Sequence, residues 1–498
     1  MSKSSVYDVA LKTPLQAAPK LSRTLGCQVL LKREDLQPVH SFKIRGAYQK
    51  IAGLSEMERQ KGVIAASAGN HAQGVALSAQ KLGMNALIVM PRTTPSIKVE
   101  AVKGFGAEVE LVGDNYSEAY EHCLHRIDET GMTFVHPFDD LEVIAGQGTV
   151  ALEILEQNPE VTHIFVPIGG GGLIAGIAEA VKNQKPDVQI IGVEPTDSCA
   201  MHDSVQAGHP VALPHVGIFA DGVAVKKVGE HTFQKVVEYV DRCMTVTTDQ
   251  ICAAIKSIFE DTRSIVEPAG ALAVAGIAAS SLPSDAVAVA ICSGANMTFE
   301  RLQFIAERTL LGSGKEALFT VTLKEEPNAL KEFCEKVVRD HNITEFNYRL
   351  HKRSEAHIFV GVGFSGPEDK QKFTNTMSQN GYDFIDLSDD QIAKEHIRHM
   401  VGGISNSTSN ERLYTVGFPE RPGALHDFLQ IVGSSDVNIS LFHYRGQGGD
   451  VGRVLIGFET ARGDQQFIQG LDDSNYDVEP AESAAIEIFL REHTASRV

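Results

Sequence analysis

The sequence contains no tryptophan, no Cys-x-x-Cys pair and no uninterrupted apolar run long enough to span a bilayer. Each absence excludes something. With aromatic residues at 7% and no interleaving of basic with aromatic side chains, there is no stacking surface for nucleic-acid bases. The seven cysteines, Cys27, Cys123, Cys199, Cys243, Cys252, Cys292 and Cys334, are scattered and odd in number. That pattern predicts reduced, mostly buried thiols of a cytoplasmic protein rather than a disulfide framework. The small-residue stretch 268–292 is broken by Ser280, Ser281, Pro283, Ser284 and Asp285, so no spanning helix is expected there. Residues 1–14 lack an apolar segment, so no secretory signal is expected. Basic residues are outnumbered, 45 against 64, leaving a net charge of −19 that disfavours nucleic acid and anionic membrane as partners. His122, Cys123 and His125, and His396 with His399, have metal-like spacing but no further ligand cluster, so no metal site is expected.

What the chain has in quantity is core material. Its 498 residues are 43% apolar, enough for about three domains on a ~150-residue scale. From residue 29 to about 296, short β-branched runs at 62–66, 86–90, 108–112, 163–168, 189–193 and 286–292 read as strands. Between them, 44–54, 72–82, 94–103, 116–129, 148–157 and 173–183 read as helices. Continuous apolar strands alternating with helices imply a parallel α/β sheet covered on both faces. Ligands of such sheets bind beyond the carboxyl ends of the strands.

The loops at those ends carry the chemistry. Lys43, in His-Ser-Phe-Lys-Ile-Arg-Gly-Ala-Tyr, lies between a strand-like run and a helix-like run. In a cleft its amine would be desolvated and able to form a Schiff base with an aldehyde cofactor. Ser67, Ala68, Gly69, Asn70 and His71 place a glycine turn at a helix start, where free N–H groups can hold a carboxylate; an ordinary helix cap is the plainer alternative. Gly169, Gly170, Gly171 and Gly172, followed by Leu173, join a strand to a helix, and such a loop can turn several N–H groups on a phosphate. No Lys-Ser tail follows, so it is not a nucleotide P-loop. Ser293, in Ser-Gly-Ala-Asn, ends the last strand. Together they suit a small phosphate-bearing aldehyde acting on an amino acid, a description that pyridoxal 5'-phosphate fits.

The four motifs, Ser41-Phe42-Lys43-Ile44-Arg45-Gly46-Ala47, Ser67-Ala68-Gly69-Asn70-His71, the tetraglycine loop and Ser293-Gly294-Ala295-Asn296, resemble those of the tryptophan-synthase-β group of pyridoxal-phosphate enzymes. Within that group the resemblance is to the biosynthetic threonine deaminases (threonine ammonia-lyases), and it runs along essentially the whole chain. It implies a two-lobed, open, twisted, mostly parallel sheet over residues 1–312, with the cofactor between the lobes. It also implies roles: Lys43 carries the cofactor and takes the substrate Cα proton, and Phe42 packs near the ring. Asn70 bonds the phenolic oxygen, and Ser67, Ala68, Gly69, Asn70 and His71 hold the substrate carboxylate. Gly169, Gly170, Gly171, Gly172 and Leu173 hold the phosphate, and Ser293 faces the pyridine nitrogen. A neutral hydroxyl there does not keep the nitrogen protonated as an aspartate would, which lets elimination compete with racemisation. The stretches Phe219-Ala220-Asp221-Gly222 and Glu267-Pro268-Ala269-Gly270 also match the family, with no role assigned.

After Gly314 the α/β alternation stops and the chain repeats itself. Glu316-Ala-Leu-Phe-Thr-Val lies over Glu411-Arg-Leu-Tyr-Thr-Val, Phe346-Asn-Tyr-Arg over Phe442-His-Tyr-Arg, and Ile358-Phe-Val-Gly over Val454-Leu-Ile-Gly. The offset stays near 95 residues throughout, which marks a duplication. Each copy reads as an α+β, ferredoxin-like unit, spanning 316–388 and 411–482, and resembles the paired ACT-like modules of the same enzymes. Gly312-Ser313-Gly314 reads as a hinge. The resemblance implies a homotetramer inhibited by isoleucine and opposed by valine, with Tyr348, Arg349, Tyr444 and Arg445 as candidate effector residues. A pure oligomerisation domain is the alternative for the tail. For the whole chain the alternatives are a degradative serine/threonine dehydratase, a racemase, or a non-catalytic amino-acid sensor. The reaction expected is L-threonine to 2-oxobutanoate and ammonia.

Overall fold

The β-branched runs of the first 300 residues fold, among the described residues, as ten strands. They are β1 (Leu15–Ala17), β2 (Gln28–Arg33), β3 (Val63–Ala66), β4 (Ala86–Met90), β5 (Glu108–Leu111), β6 (Thr133–Phe134), β7 (His163–Pro167), β8 (Gln189–Pro195), β9 (Arg242–Val246) and β10 (Val287–Cys292). The structure is a computed structural model and describes residues 5–324, 329–347, 355–399, 411–419, 428, 431, 437–444, 451–460, 468–471 and 476–490. It forms two compact units, one over Met1–Thr309 and the other over Leu310–Gln447 and Val451–Val498.

In the first unit the strands make two sheets. One has the order β1-β2-β10-β7-β8-β9 and the other β5-β4-β3-β6. All pairings are parallel except that of β1 with β2. Parallel strands buried on both faces explain their unbroken apolar character, and β3, β4 and β7 are buried nearly throughout. The strands at β1, β6 and β9 escape the sequence reading because they are short or polar edge segments. The loops at 40–43, 67–71, 169–173 and 293–296 follow the carboxyl ends of β2, β3, β7 and β10.

One helix differs in an instructive way. The sequence suggests 148–157, whereas the helix runs over Leu141–Gln157. Asp140 caps it, accepting from the N–H groups of Glu142 and Val143 at 2.9 and 3.2 Å. Gly146 and Gly148, which look like helix breakers, are there for close approach. A Cβ on Gly146 would come within 2.7 Å of the Arg45 carbonyl oxygen, and one on Gly148 within 2.9 Å of the Gly176 carbonyl oxygen. Two neighbouring helices, Lys43–Ala52 and Gly172–Lys182, therefore pack almost backbone to backbone against this one.

The second unit holds β11 (Glu316–Lys324), β12 (Asn342–Asn347), β13 (Glu355–Gly363), β14 (Phe384–Asp386), β15 (Glu411–Pro419), β16 (Val437–Tyr444), β17 (Val451–Thr460) and β18 (Val478–Pro480). They form two antiparallel sheets of matching order, β12-β13-β11-β14 and β16-β17-β15-β18. The duplication extends to irregularities. The first sheet shifts register between Ile343 and Glu345, the second between Ile439 and Leu441. At each bulge a buried hydroxyl, Thr344 or Ser440, has no hydrogen-bond partner among the described residues and occupies the space in front of a strand glycine, Gly361 or Gly457. Leu318 and Phe359 of one sheet share an apolar cluster with Leu413 and Leu455 of the other. Gly314, expected as part of a hinge, takes φ 65° and donates its N–H to the Leu311 carbonyl, ending the helix Arg301–Gly312 directly before β11.

Candidate active site

Lys43 is the first residue of the helix Lys43–Ala52. Ile44, Ala47, Tyr48 and Ile51 recur on one face of that helix and are buried, so core packing fixes the helix and with it the root of the lysine. The approach to Lys43 is pinned from the other side. His40 takes a left-handed φ of 53°, its carbonyl accepts from the Ala295 N–H at 2.9 Å, and the Phe42 N–H donates to the Ser293 carbonyl at 3.1 Å. The Ser293 and Lys43 segments are thus stitched together, Ser41 bridging to Gly294. The Lys43 amine lies 5.4 Å from the centre of the Phe42 ring and donates to the Pro137 carbonyl at 2.8 Å. Burial pushes it down to about 8, opposed by the carboxyl of Glu267.

Pro137 leads to the phosphate-type loop through the next residue. A Cβ on Gly170 would fall inside the Phe138 ring, and one on Gly172 would crowd the Phe138 backbone. Gly171 has φ 95°. Thr232 supports the loop from outside, its hydroxyl donating to the Gly170 carbonyl at 2.7 Å. The helix bearing Thr232 is capped by Asp139, which accepts from the N–H groups of Glu230, His231 and Thr232. The glycines are therefore needed for packing as well as for exposing backbone. On the open side, the N–H groups of residues 169–173 meet no acceptor among the described residues. Five unsatisfied donors at the start of the helix Gly172–Lys182 suit a phosphate dianion.

Asn70 and His71 form the first turn of the helix Asn70–Lys81 rather than a loop. Gly74 in that helix lets it approach Lys43, since a Cβ there would stand 3.1 Å from the Lys43 carbonyl carbon. Ser67 anchors the turn, its hydroxyl accepting from the Gly69 N–H at 3.3 Å. His71 is buried, bonds the Val135 carbonyl through Nε2 at 2.8 Å, and is pushed down to about 3 by burial and by Lys43. It is a neutral, structural imidazole at ordinary pH.

Sequence reasoning singled out the stretches holding Glu267 and Asp221 without a role, and missed the charges around them. Glu267 is buried beside these groups and is pushed up to about 8, by burial and then by Asp221. Asp221 is held below the usual carboxylate range despite burial by Lys98, 2.7 Å away, and by Arg301. Behind the lysine helix lies a fully buried set of charges. Arg45 pairs with Glu34 at 2.8 Å and with Glu153 at 2.6 Å, and Lys32 with Glu153 at 2.5 Å. The spacing of charged residues along a sequence carries no sign of such mutual neutralisation; only β2 and two helices brought together create it. Tyr348, Arg349 and Arg445 lie outside the described residues, as does the side chain of Tyr444. No two of the seven cysteines form a disulfide. Among the described residues Cys199, His202 and Asp203 bring ligand atoms within 4.8 Å of one another, a convergence that the sequence reading did not single out.

Comparison with known proteins agrees with this geometry. Residues 6–294 match the family described as pyridoxal-phosphate dependent enzyme. Residues 307–397 and 402–487 match the C-terminal regulatory domain of threonine dehydratase. The chain is 50% identical over 493 residues to the biosynthetic L-threonine dehydratase of Pasteurella multocida, covering 98% of this chain and 96% of that one. It is 48% identical over 494 residues to its counterpart in Escherichia coli K12, with 98% and 96% covered. Among solved structures, the processed form of threonine deaminase isoform 2 from Solanum lycopersicum superposes with a TM-score of 0.60 at 48% identity, covering 61% of this chain and 90% of that one. A lysine, an anion cradle and a duplicated regulatory unit in this order are those of one group: the chain belongs to the biosynthetic threonine dehydratase family of pyridoxal-phosphate-dependent enzymes.

Proposed function

We propose that the chain removes the elements of water from L-threonine, releasing an enamine that hydrolyses to 2-oxobutanoate and ammonia, as the first step of isoleucine synthesis. L-serine would give pyruvate by the same route. The observation that carries the reading is a half-buried lysine of lowered pKa together with N–H donors at 169–173 that meet no acceptor among the described residues, in a chain about half identical to biosynthetic threonine dehydratases along 98% of its length. The orphan donors at 169–173 fit a phosphate, and the amine of Lys43 fits an aldehyde. Pyridoxal phosphate, when bound, supplies the electron sink that makes the substrate Cα–H acidic.

The chain's own residues do the rest. Lys43, once free, moves the Cα proton, with Pro137 as the resting acceptor for its amine. Backbone and side chains of residues 67–71 orient the substrate carboxylate, and Phe42 packs near the ring. Asn70 and Ser293 take the phenolic oxygen and pyridine nitrogen. We assign residues 1–312 to catalysis and 316–388 and 411–482 to two ACT-like modules that take isoleucine and valine, with Tyr348, Arg349, Tyr444 and Arg445 near those sites. A homotetramer in the cytoplasm completes the reading. The seven cysteines, which form no disulfide, suit a reducing compartment; no helix among the described residues is long and apolar enough to cross a membrane.

The test is formation of 2-oxo acid from L-threonine by the purified protein, with and without L-isoleucine. Turnover that isoleucine suppresses is the expected result. Turnover indifferent to isoleucine would remove the feedback role and leave the repeats as assembly units. A folded, yellow protein that forms no 2-oxo acid would return the racemase or sensor reading.

A further inference from the structure

The proposed contact of Asn70 with the phenolic oxygen has a requirement of its own. An amide side chain has an oxygen end and an NH2 end, and only the NH2 end can donate to a phenolate. Rotation by half a turn would set two oxygens against each other. The structure contains a chain of bonds that settles which end faces where. The Asn296 Nδ2 donates to the Val39 carbonyl at 2.8 Å and to the Asn70 Oδ1 at 2.6 Å. The Asn70 Nδ2 donates to the Glu267 Oε1 at 2.7 Å. The chain has a fixed polarity because it starts on a backbone carbonyl, which can only accept. Nδ2 of Asn296 must therefore face Val39, and the atom of Asn70 that meets the same nitrogen must be its oxygen. The NH2 of Asn70 is then turned to Glu267, with its second hydrogen still to place.

The surroundings are shaped around this chain. A Cβ on Gly294 would press within 3.2 Å of the Asn70 Nδ2, and one on Gly222 within 3.3 Å of the Glu267 Oε1. Glu267 is itself held by its own N–H on the Gly294 carbonyl at 3.1 Å and by the backbone N–H of Asn296. It precedes the proline that starts the helix Pro268–Ala278. The charged groups facing it are Asp221, Lys98 and Lys43.

We infer that Asn296 and Glu267 are positioning residues, a clamp that locks the amide of Asn70 with its NH2 toward the cofactor's phenolic oxygen. The inference rests on the reading that Asn70 faces that oxygen. Neither clamp residue needs to touch the reacting atoms. Their effect is to remove the flipped state of Asn70 from the ensemble, so that the site presents a donor where the phenolate needs one.

The experiment compares Asn70→Ala, Asn296→Ala, Asn296→Asp and Glu267→Leu as full-length proteins loaded with pyridoxal phosphate. The readouts are the share of the long-wavelength absorption band, which requires an unprotonated phenolic oxygen, and cofactor affinity by titration of the apo protein. The folded state of each is checked by the thermal unfolding of its apo form. Asn70→Ala is expected to shift absorption toward the short-wavelength band and weaken cofactor binding about tenfold, as loss of a hydrogen bond to a charged group would. Both Asn296 variants and Glu267→Leu are expected to move the bands the same way. The effect should be larger for Asn296→Asp than for Asn296→Ala, since a carboxylate repels both carbonyl oxygens. Clamp variants with wild-type bands beside a shifted Asn70→Ala would overturn the clamp. An unshifted Asn70→Ala would overturn instead the reading of Asn70 on which it rests. Should Asn296→Ala fail to fold, Glu267→Leu and Asn296→Asp carry the same comparison.

Discussion

A lysine at the start of a helix is ordinarily a hydrated cation with a pKa near 10.4, useless as a nucleophile at neutral pH. Lys43 differs because Ile44, Ala47, Tyr48 and Ile51 bury the helix beneath it and the Pro137 loop covers its tip. Desolvation disfavours its charged form and lowers its pKa to about 8. The consequence is a pH dependence of known sign. Only the neutral amine attacks an aldehyde, so uptake of pyridoxal phosphate by the apo protein should accelerate as pH rises and level off above a midpoint near 8. Stopped-flow absorbance between pH 6 and 10 measures this. A rate still climbing at the top of that range would mean the amine behaves as a solvated lysine. The motif made Lys43 conspicuous, but its neighbours did not follow from it. Pro137 acts through a carbonyl, and every residue has one.

At the scale of elements, the helix of Lys43 is braced from behind by charges rather than by apolar packing alone. Arg45, Glu34, Glu153 and Lys32 are almost wholly excluded from water, and each depends on the others to offset the cost of its desolvation. Arg45→Ala would leave Glu34 and Glu153 short of their main partner. A loss of roughly 3–5 kcal/mol is expected for breaking such a buried pair from one side, to be measured by urea unfolding of the apo protein. A change within ±0.5 kcal/mol, the range of surface substitutions, would show that the network is not under tension. Glu153 illustrates why the reading from sequence stops here. It sits in a helix that the sequence reading began at 148 rather than 141, and its partners come from β2 and from the helix of Lys43. Periodicity located those elements within a few residues, yet it could not say that their charged faces meet.

At the scale of the molecule, two sheets of identical strand order with a bulge at the same place in each are the product of one duplicated module. Shared apolar side chains, Leu318 and Phe359 with Leu413 and Leu455, make the pair a single packing unit. A ligand that binds only the folded pair stabilises it by mass action, ~2.7 kcal/mol at a hundredfold excess over its Kd. Calorimetry of the full-length protein should therefore show isoleucine raising the temperature at which the C-terminal unit unfolds. Absence of any rise at concentrations that suppress turnover would place its binding elsewhere.

The sequence by itself determined the fold class, the order of the candidate site's loops and the duplication, because each rests on local patterns: strand runs, glycine turns and a repeat near 95 residues. It also pointed to Lys43, the tetraglycine loop and Ser293, since reactive or conformationally special residues announce themselves by type. Only the tertiary structure decided how those loops are held. Glu267 and Asn296 meet Asn70 across 197 and 226 residues of chain. Arg45 finds Glu153 across 108. Direction of a hydrogen bond and neutralisation of a buried charge are properties of pairs in space, and distance along the chain carries neither.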